Sequence, residues 1–242
     1  MSNVFYAPGE QRAAKVNDLF AAIARRYDLL NDLQSFGLHR RWKRRVVEFA
    51  AVKPGDRALD LCCGTGDLAL ALAKHDAEVI GVDFSRAMLE IAEKRRQKNL
   101  GSPITNLKFI QGDAQQIPFP DRSFDIVTVG YGLRNLTNWE VGLTEMHRVA
   151  KPGARLVVLD FGKPPNAFWR AVYFAHLKIS VPLLGWIFCG NAQAYAYILE
   201  SLKRYPAQAG VSASMRALKL ANVRVINLLG GAMAINFGEK PV

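Results

Sequence analysis

The stretch Leu59-Asp-Leu-Cys-Cys-Gly-Thr-Gly-Asp67 opens as a short apolar run and ends in two glycines that flank a threonine. ALDLCC (58–63) has the composition of a buried strand, led in by the turn KPGD (53–56). Gly64 and Gly66 then let a ligand approach the backbone at the strand's carboxyl end, where open α/β sheets bind their ligands. GTGDLA (64–69) also satisfies a dinucleotide fingerprint, so the loop alone leaves nicotinamide and other nucleotide cofactors open.

Outward from this loop, apolar runs alternate with helical patterns. Helices are expected over Asp67–Lys74, Ala87–Lys98 (capped by Ser85) and Asn138–Ala150. Strands are expected at 78–83, 106–113, 123–130 and, after the turn KPG (151–153), at 155–161. Continuous apolar strands separated by helices imply a parallel sheet covered on both faces. On the amino side, residues 11–28 and Trp42–Ala51 read as helices, with NDLQSFGLH (31–39) as a loop. Beyond residue 162 the pattern is helical, at about 166–188, 191–204 and 212–221. NVRVINLL (222–229) and AMAINF (232–237), joined by Gly230-Gly231, read as a closing hairpin. One domain of 242 residues is expected: a cap (1–52), a core (53–161), a helical insertion (162–221) and the hairpin (222–242).

Two acids mark the next strand ends. Asp83 lies 23 residues after Asp60, the spacing of a carboxylate that takes ribose hydroxyls, and Asp113 closes the third strand with Ala114 beside it to read an adenine edge. A nicotinamide enzyme needs neither the third acid nor the hairpin.

With 50% apolar and 22% charged residues the composition is globular. Three cysteines make no disulfide framework, and Cys62 and Cys63 read as small buried hydrophobes. The N-terminus shows no signal-peptide pattern, which points to the cytoplasm. AVYFAHLKISVPLLGWIF (171–188) is interrupted by His176, Lys178 and Pro182, so it reads as a buried or interfacial helix rather than a span. The net charge of +11 sits in the flanks: residues 51–159 hold fourteen basic and thirteen acidic residues, whereas 160–242 hold nine and three. The densest cluster is HRRWKRR (39–45), suited to a solvated helix face, an anionic membrane surface or nucleic acid.

LDLCCGTGD, Val82-Asp83 and GDA (112–114) resemble the S-adenosyl-L-methionine motifs of class I methyltransferases. YDLLNDLQSFGLHRRWKR (27–44), YGLRNLTN (131–138), LDFGKP (159–164) and NAQAYAYILESLKRYP (191–206) resemble one family, the ubiquinone/menaquinone biosynthesis C-methyltransferases. That resemblance implies a Rossmann-like, doubly wound, mostly parallel seven-stranded sheet with a C-terminal antiparallel hairpin and helical additions. It also implies S-adenosylmethionine as methyl donor and a polyprenylated quinol as substrate. Thr65, Asp83, Asp113 and Ala114 would hold the donor, with Asp60, Gly64 and Gly66 shaping the loop and Gly130 where some members carry a serine near it. No metal is expected. Arg134 and Asn135 would face the cleft, Arg134 to stabilise an aryl oxyanion and Asn135 to orient a hydroxyl or a water. His39, Tyr131, Tyr195 and Tyr197 remain candidates for the base or for ring packing. The basic cap and the aromatics Phe168, Trp169, Tyr173, Phe174, Trp186 and Phe188 would dock on the inner face of an anionic membrane and line a channel for the tail, or the aromatics would pack as core. A naphthoquinol is favoured over a benzoquinol, no nucleic-acid partner is expected, and a homodimer is left open. Competing readings are an RNA methyltransferase, weakened by the absence of an NPPY-type loop, an NAD-dependent oxidoreductase and a non-catalytic binding module.

Overall fold

The computed structural model describes Asp18, residues 20–98, 104–189, Leu199 and 201–242. After a 3-10 turn (Ala24–Arg26), two helices, α1 (Tyr27–Ser35) and α2 (Leu38–Ala50), precede the sheet. The core then runs β1 (Arg57–Leu61), α3 (Asp67–Ala73), β2 (Glu78–Asp83), α4 (Arg86–Gln97), β3 (Leu107–Gln111), β4 (Phe124–Gly130), α5 (Trp139–Val149) and β5 (Ala150–Phe161). α6 (Ala167–Cys189), α7 (Ala207–Ala217), β6 (Ala221–Leu228) and β7 (Met233–Glu239) complete it.

The seven strands lie in the order β3-β2-β1-β4-β5-β7-β6. β1 to β5 are parallel, and β7 is antiparallel to both β5 and β6, as the Gly230-Gly231 signal implied. Strand order reverses between β1 and β4. The crevice above their carboxyl ends is therefore the switch point where such sheets take ligands.

Side-chain alternation along the strands divides the core. Leu59, Leu61, Val127, Val129, Leu156 and Val158 pack against α5 and α7 on one face. Ala58, Ile126, Val157 and Leu159 pack against α2 and α3 on the other. A third cluster joins Ile23, Leu30, Met88, Tyr173, Leu177 and Leu202, so α1 and α6 close over the crevice.

Three local expectations change. Residues 31–35, expected as loop, are helical, because Leu30 docks into the third cluster and packing outweighs the turn propensity of Asn31, Asp32 and Ser35. α1 stops instead at Phe36 (φ 50°) and Gly37 (φ 73°), a left-handed pair that turns the chain into α2. KPG (151–153) is a kink within β5 rather than a separate turn: Phe124 pairs with Ala150, and the register shifts before Ile126 meets Arg155. α7 begins five residues earlier than the expected 212 and ends at Ala217. Residues 11–17, Tyr195 and Tyr197, and the side chains of Trp186 and Phe188, lie outside the described residues.

Candidate active site

The β1–α3 loop needs glycine for conformation at two places: Gly64 has φ +55° and Gly66 φ +85°. Gly64 N–H donates to Asp83 Oδ2 at 2.8 Å, and Ser85 N–H donates to Asp83 Oδ1 at 2.8 Å. Asp83 is thus aimed by its own neighbourhood into a cavity lined by Gly64, Ser85, Asp113, Ala114, Gly130 and Asn135 among others. Burial raises its carboxyl pKa, and these backbone donors pull against that rise. Asp113 folds into a turn, accepting from Gln115 N–H at 2.8 Å. Ser85, expected to cap α4, makes no side-chain capping bond, and its buried Oγ has no protein partner at the cavity wall.

These features fit the adenosyl donor that the motifs suggest. A fixed carboxylate suits a ribose diol, the orphaned Ser85 hydroxyl awaits a polar group, and Ala114 beside Asp113 leaves room for a flat base. The thiols of Cys62 and Cys63 are held well above their ordinary pKa by burial, so both are neutral; Cys63 is buried as expected, whereas Cys62 is half-buried and lines the cavity. An added Cβ at Gly130 would meet Leu68 Cδ1 at 2.8 Å, so the end of that side chain would have to shift.

Three residues expected in this cavity are not among those lining it. Strand alternation turns Asp60 toward α3, where it accepts from Ala69 N–H (3.0 Å) and Thr128 Oγ1–H (2.8 Å). It is 1% exposed, and burial pushes its pKa up to about 7. The folded pKa lies above the unfolded one, so between about pH 4 and 7 the folded state binds the extra proton and stability falls as pH rises. Asp60→Asn removes this slope: between pH 5 and 7.5 the wild type should lose about 2 kcal/mol relative to the variant in urea melts. Parallel pH curves for the two proteins would refute it.

Thr65 hydroxyl donates to Asp28 of α1 at 2.8 Å, and Gly66 packs beneath the Phe109 ring. Arg95 of α4 joins this knot, donating to Asp28, to Thr65 and to Asp67, and Lys43 of α2 reaches Asp67 at 2.6 Å. Burial alone would raise Asp67, but the two cations hold it at about 2. The loop is thereby tied to the helical cap.

Arg134 and Asn135, expected side by side, address different spaces. Asn135 lines the cavity that holds Asp83 and Asp113, and it donates Nδ2–H to Tyr131 O. Arg134 lines a second cavity of about 410 Å³. Its Nη1 donates to Asp160 Oδ1 (2.8 Å) and to Tyr131 O, and its guanidinium lies 4.5 Å from the Phe161 ring centroid. The pair is buried, with side chains 6% and 4% exposed, so Arg134 is no surface ion-pair residue.

The two cavities share Phe20, Tyr27 and Tyr131. The larger is lined mostly by apolar side chains, and its lining residues His39, Tyr131 and Tyr173 each carry a buried polar atom without a protein hydrogen-bond partner: His39 Nδ1, Tyr131 Oη and Tyr173 Oη. Burial keeps both tyrosine hydroxyls protonated, and holds Tyr27 at about 12. Tyr131 takes a left-handed φ of 62°, a strained setting that directs its ring between the cavities. Sequence reading missed Asn31, Gln34 and Asp160, whereas Tyr173, named among the aromatics for a tail channel, does line the larger cavity. The signal for Asn31 and Gln34 was their four- and seven-residue offset from Tyr27, invisible once 31–39 read as loop.

Comparisons with known proteins bear on the family and the fold. The family model described as ubiE/COQ5 methyltransferase family matches residues 9–240. The chain is 42% identical over 238 residues to demethylmenaquinone methyltransferase of Desulfitobacterium hafniense, covering 96% of this chain and 92% of the relative. It is 40% identical to the ubiquinone/menaquinone biosynthesis C-methyltransferase UbiE of Azotobacter vinelandii, covering 97% and 93%. Among solved structures, a SAM-dependent methyltransferase from Aquifex aeolicus matches with a TM-score of 0.55 at 19% identity, covering 81% of this chain and 88% of that one. One from Thermotoga maritima matches with a TM-score of 0.59 at 20% identity, covering 90% and 98%; both show the fold alone. With its sheet order, its donor-shaped cavity and a family model spanning nearly its whole length, this chain belongs to the ubiE/COQ5 methyltransferase family.

Proposed function

We propose that this methyltransferase transfers the methyl group of S-adenosylmethionine to a ring carbon of a polyprenylated quinol, converting demethylmenaquinol to menaquinol. The observation that carries this reading is the large apolar cavity, whose lining residues His39, Tyr131 and Tyr173 each hold an unpartnered polar atom and which meets the donor cavity at Tyr27 and Tyr131. A hydroquinone ring with a hydrocarbon tail matches such a wall, and the names of the relatives support that substrate class. A benzoquinol is the second reading, favoured by the dual name of the Azotobacter relative.

When bound, S-adenosylmethionine supplies an electrophilic sulfonium methyl. The protein's part is to bring a ring carbon in line, exclude water and favour the ionised hydroxyl. Tyr131 and Tyr173, neutral and unpartnered, donate hydrogen bonds to the ring oxygens. Arg134 is a permanent cation, so it stabilises an aryloxide rather than accepting a proton. Asp160 and Tyr131 O fix its guanidinium in place.

Incubation with labelled donor and each reduced quinol, followed by mass analysis, tests the proposal. Label on the naphthoquinol ring is expected; label on the benzoquinol alone selects the second reading, and turnover of neither rejects the substrate class.

A tailed substrate must enter from a bilayer. No helix among the described residues is long and apolar enough to cross one. Phe36, 85% exposed, and Leu229 line the cavity at its open side. On α6, Phe168, Val172, Ile179 and Leu183 form one exposed apolar stripe. Arg41, Arg44 and Arg45 of α2 and Lys178 of α6 are exposed and basic, which complements an anionic surface. The double variant Phe168→Glu/Ile179→Glu should bind phosphatidylglycerol vesicles at least about tenfold more weakly. Its turnover of a short-tailed quinol should be unchanged; equal vesicle binding would exclude this face.

A further inference from the structure

One buried group in the large cavity has no role in the mechanism above. His39, 3% exposed, lies in the first turn of α2 and lines that cavity. Its Nε2 lies 2.9 Å from Asp32 Oδ1 of α1. Arg40 grips the same carboxylate from outside, with Nε to Oδ1 at 3.0 Å and Nη2 to Oδ2 at 2.6 Å. These bonds hold Asp32 below its ordinary pKa, so it is an ionised acceptor. The hydrogen of that contact must therefore sit on Nε2. Burial lowers the imidazole pKa and keeps the ring neutral, against the opposing pull of Asp32. A neutral ring with its hydrogen on Nε2 carries a bare lone pair on Nδ1. That atom is buried and has no protein donor.

Resting on the quinol reading, we infer that His39 Nδ1 is the acceptor for the substrate hydroxyl proton, with Asp32 as the residue that positions its ring. The O–H bond breaks, the proton bonds to Nδ1, and the electron pair stays on oxygen as the aryloxide that activates the ring carbon. After methylation the ring carbon gives its own proton to water. The imidazolium returns its proton to the oxygen, so turnover releases one proton. The charged groups facing His39 are Asp32 on α1, Lys43 on its own helix and Asp67 on α3. Lys43 opposes the imidazolium and both carboxylates favour it.

His39→Gln should lower kcat at pH 7 by about 10²-fold or more, with the donor Kd unchanged. Its rate should climb with pH toward quinol ionisation, whereas the wild type levels off above the His39 pKa. Asp32→Asn removes an attraction for the imidazolium, so the acid limb should move to lower pH while KM changes little. A readout independent of turnover is the ¹⁵N spectrum of His39 in the wild-type protein. Nδ1 should be unprotonated at pH 7.5 and shift when reduced quinol is added without donor. A protonated Nδ1, an Nδ1 signal unmoved by quinol, or a His39→Gln kcat within threefold of wild type would overturn the assignment. If His39→Gln does not fold, the spectrum and the Asp32→Asn profile decide. No wild-type turnover of any quinol would reject the substrate reading itself, and with it this proton transfer.

Discussion

Arg134→Met should lower kcat by about 10³-fold and cost the fold about 3–5 kcal/mol. The two losses have different origins. Arg134 and Asp160 are both buried, and removing the cation leaves a carboxylate that, among the described residues, keeps the backbone donors Arg134 N–H and Phe161 N–H. Asp160→Asn in the same chain relieves that charge, so the double variant should recover at least half of the lost stability. It should recover none of the activity, because the cation facing the aryloxide is still missing. Denaturant melts and steady-state rates on the single and double variants separate the effects. A single variant with kcat within tenfold of wild type would mean that Arg134 serves the fold alone.

Asp83→Ala should weaken S-adenosylmethionine binding by at least about 10²-fold, read by calorimetry. The carboxylate already spends one lone pair per oxygen on Gly64 and Ser85 N–H groups, which fixes its plane. Its remaining acceptor capacity faces the cavity and suits two adjacent hydroxyls. Charge-assisted bonds of this kind are each worth about 1.5–3 kcal/mol, so losing both accounts for the expected range. Asp83→Asn keeps the shape and one acceptor and should fall between wild type and alanine. NADH should bind none of the three. Donor affinity within threefold of wild type in Asp83→Ala would place the ribose elsewhere.

The grouping of residues around the cavity beside the glycine loop was legible because it follows from chain geometry near the sheet. Apolar runs set strands, strand ends collect ligand groups, and Asp83, Asp113, Ala114, Gly64 and Gly130 do surround one cavity. Asp60 was misplaced, although strand alternation sets it on the face of Ala58, opposite Leu59 and Leu61 and away from that cavity. The substrate side was less legible. A run holding Asn31, Asp32, Gln34 and Ser35 carries turn residues, and its helicity comes from burying Leu30 against α6. Only that helix aligns Asn31, Gln34 and Asp32 with the cavity and with His39.

By itself the sequence determined the alternation of strands and helices, the glycine loop, the strand-end carboxylates and the antiparallel closing pair, because each depends on residues close in the chain. Tertiary structure alone decided which hydroxyls and nitrogens are left without partners. It set Thr65 on Asp28, Arg134 on Asp160 and His39 on Asp32, contacts 37, 26 and 7 residues apart. Hydrogen-bond satisfaction is a property of the packed molecule, in which burial removes water as the alternative partner.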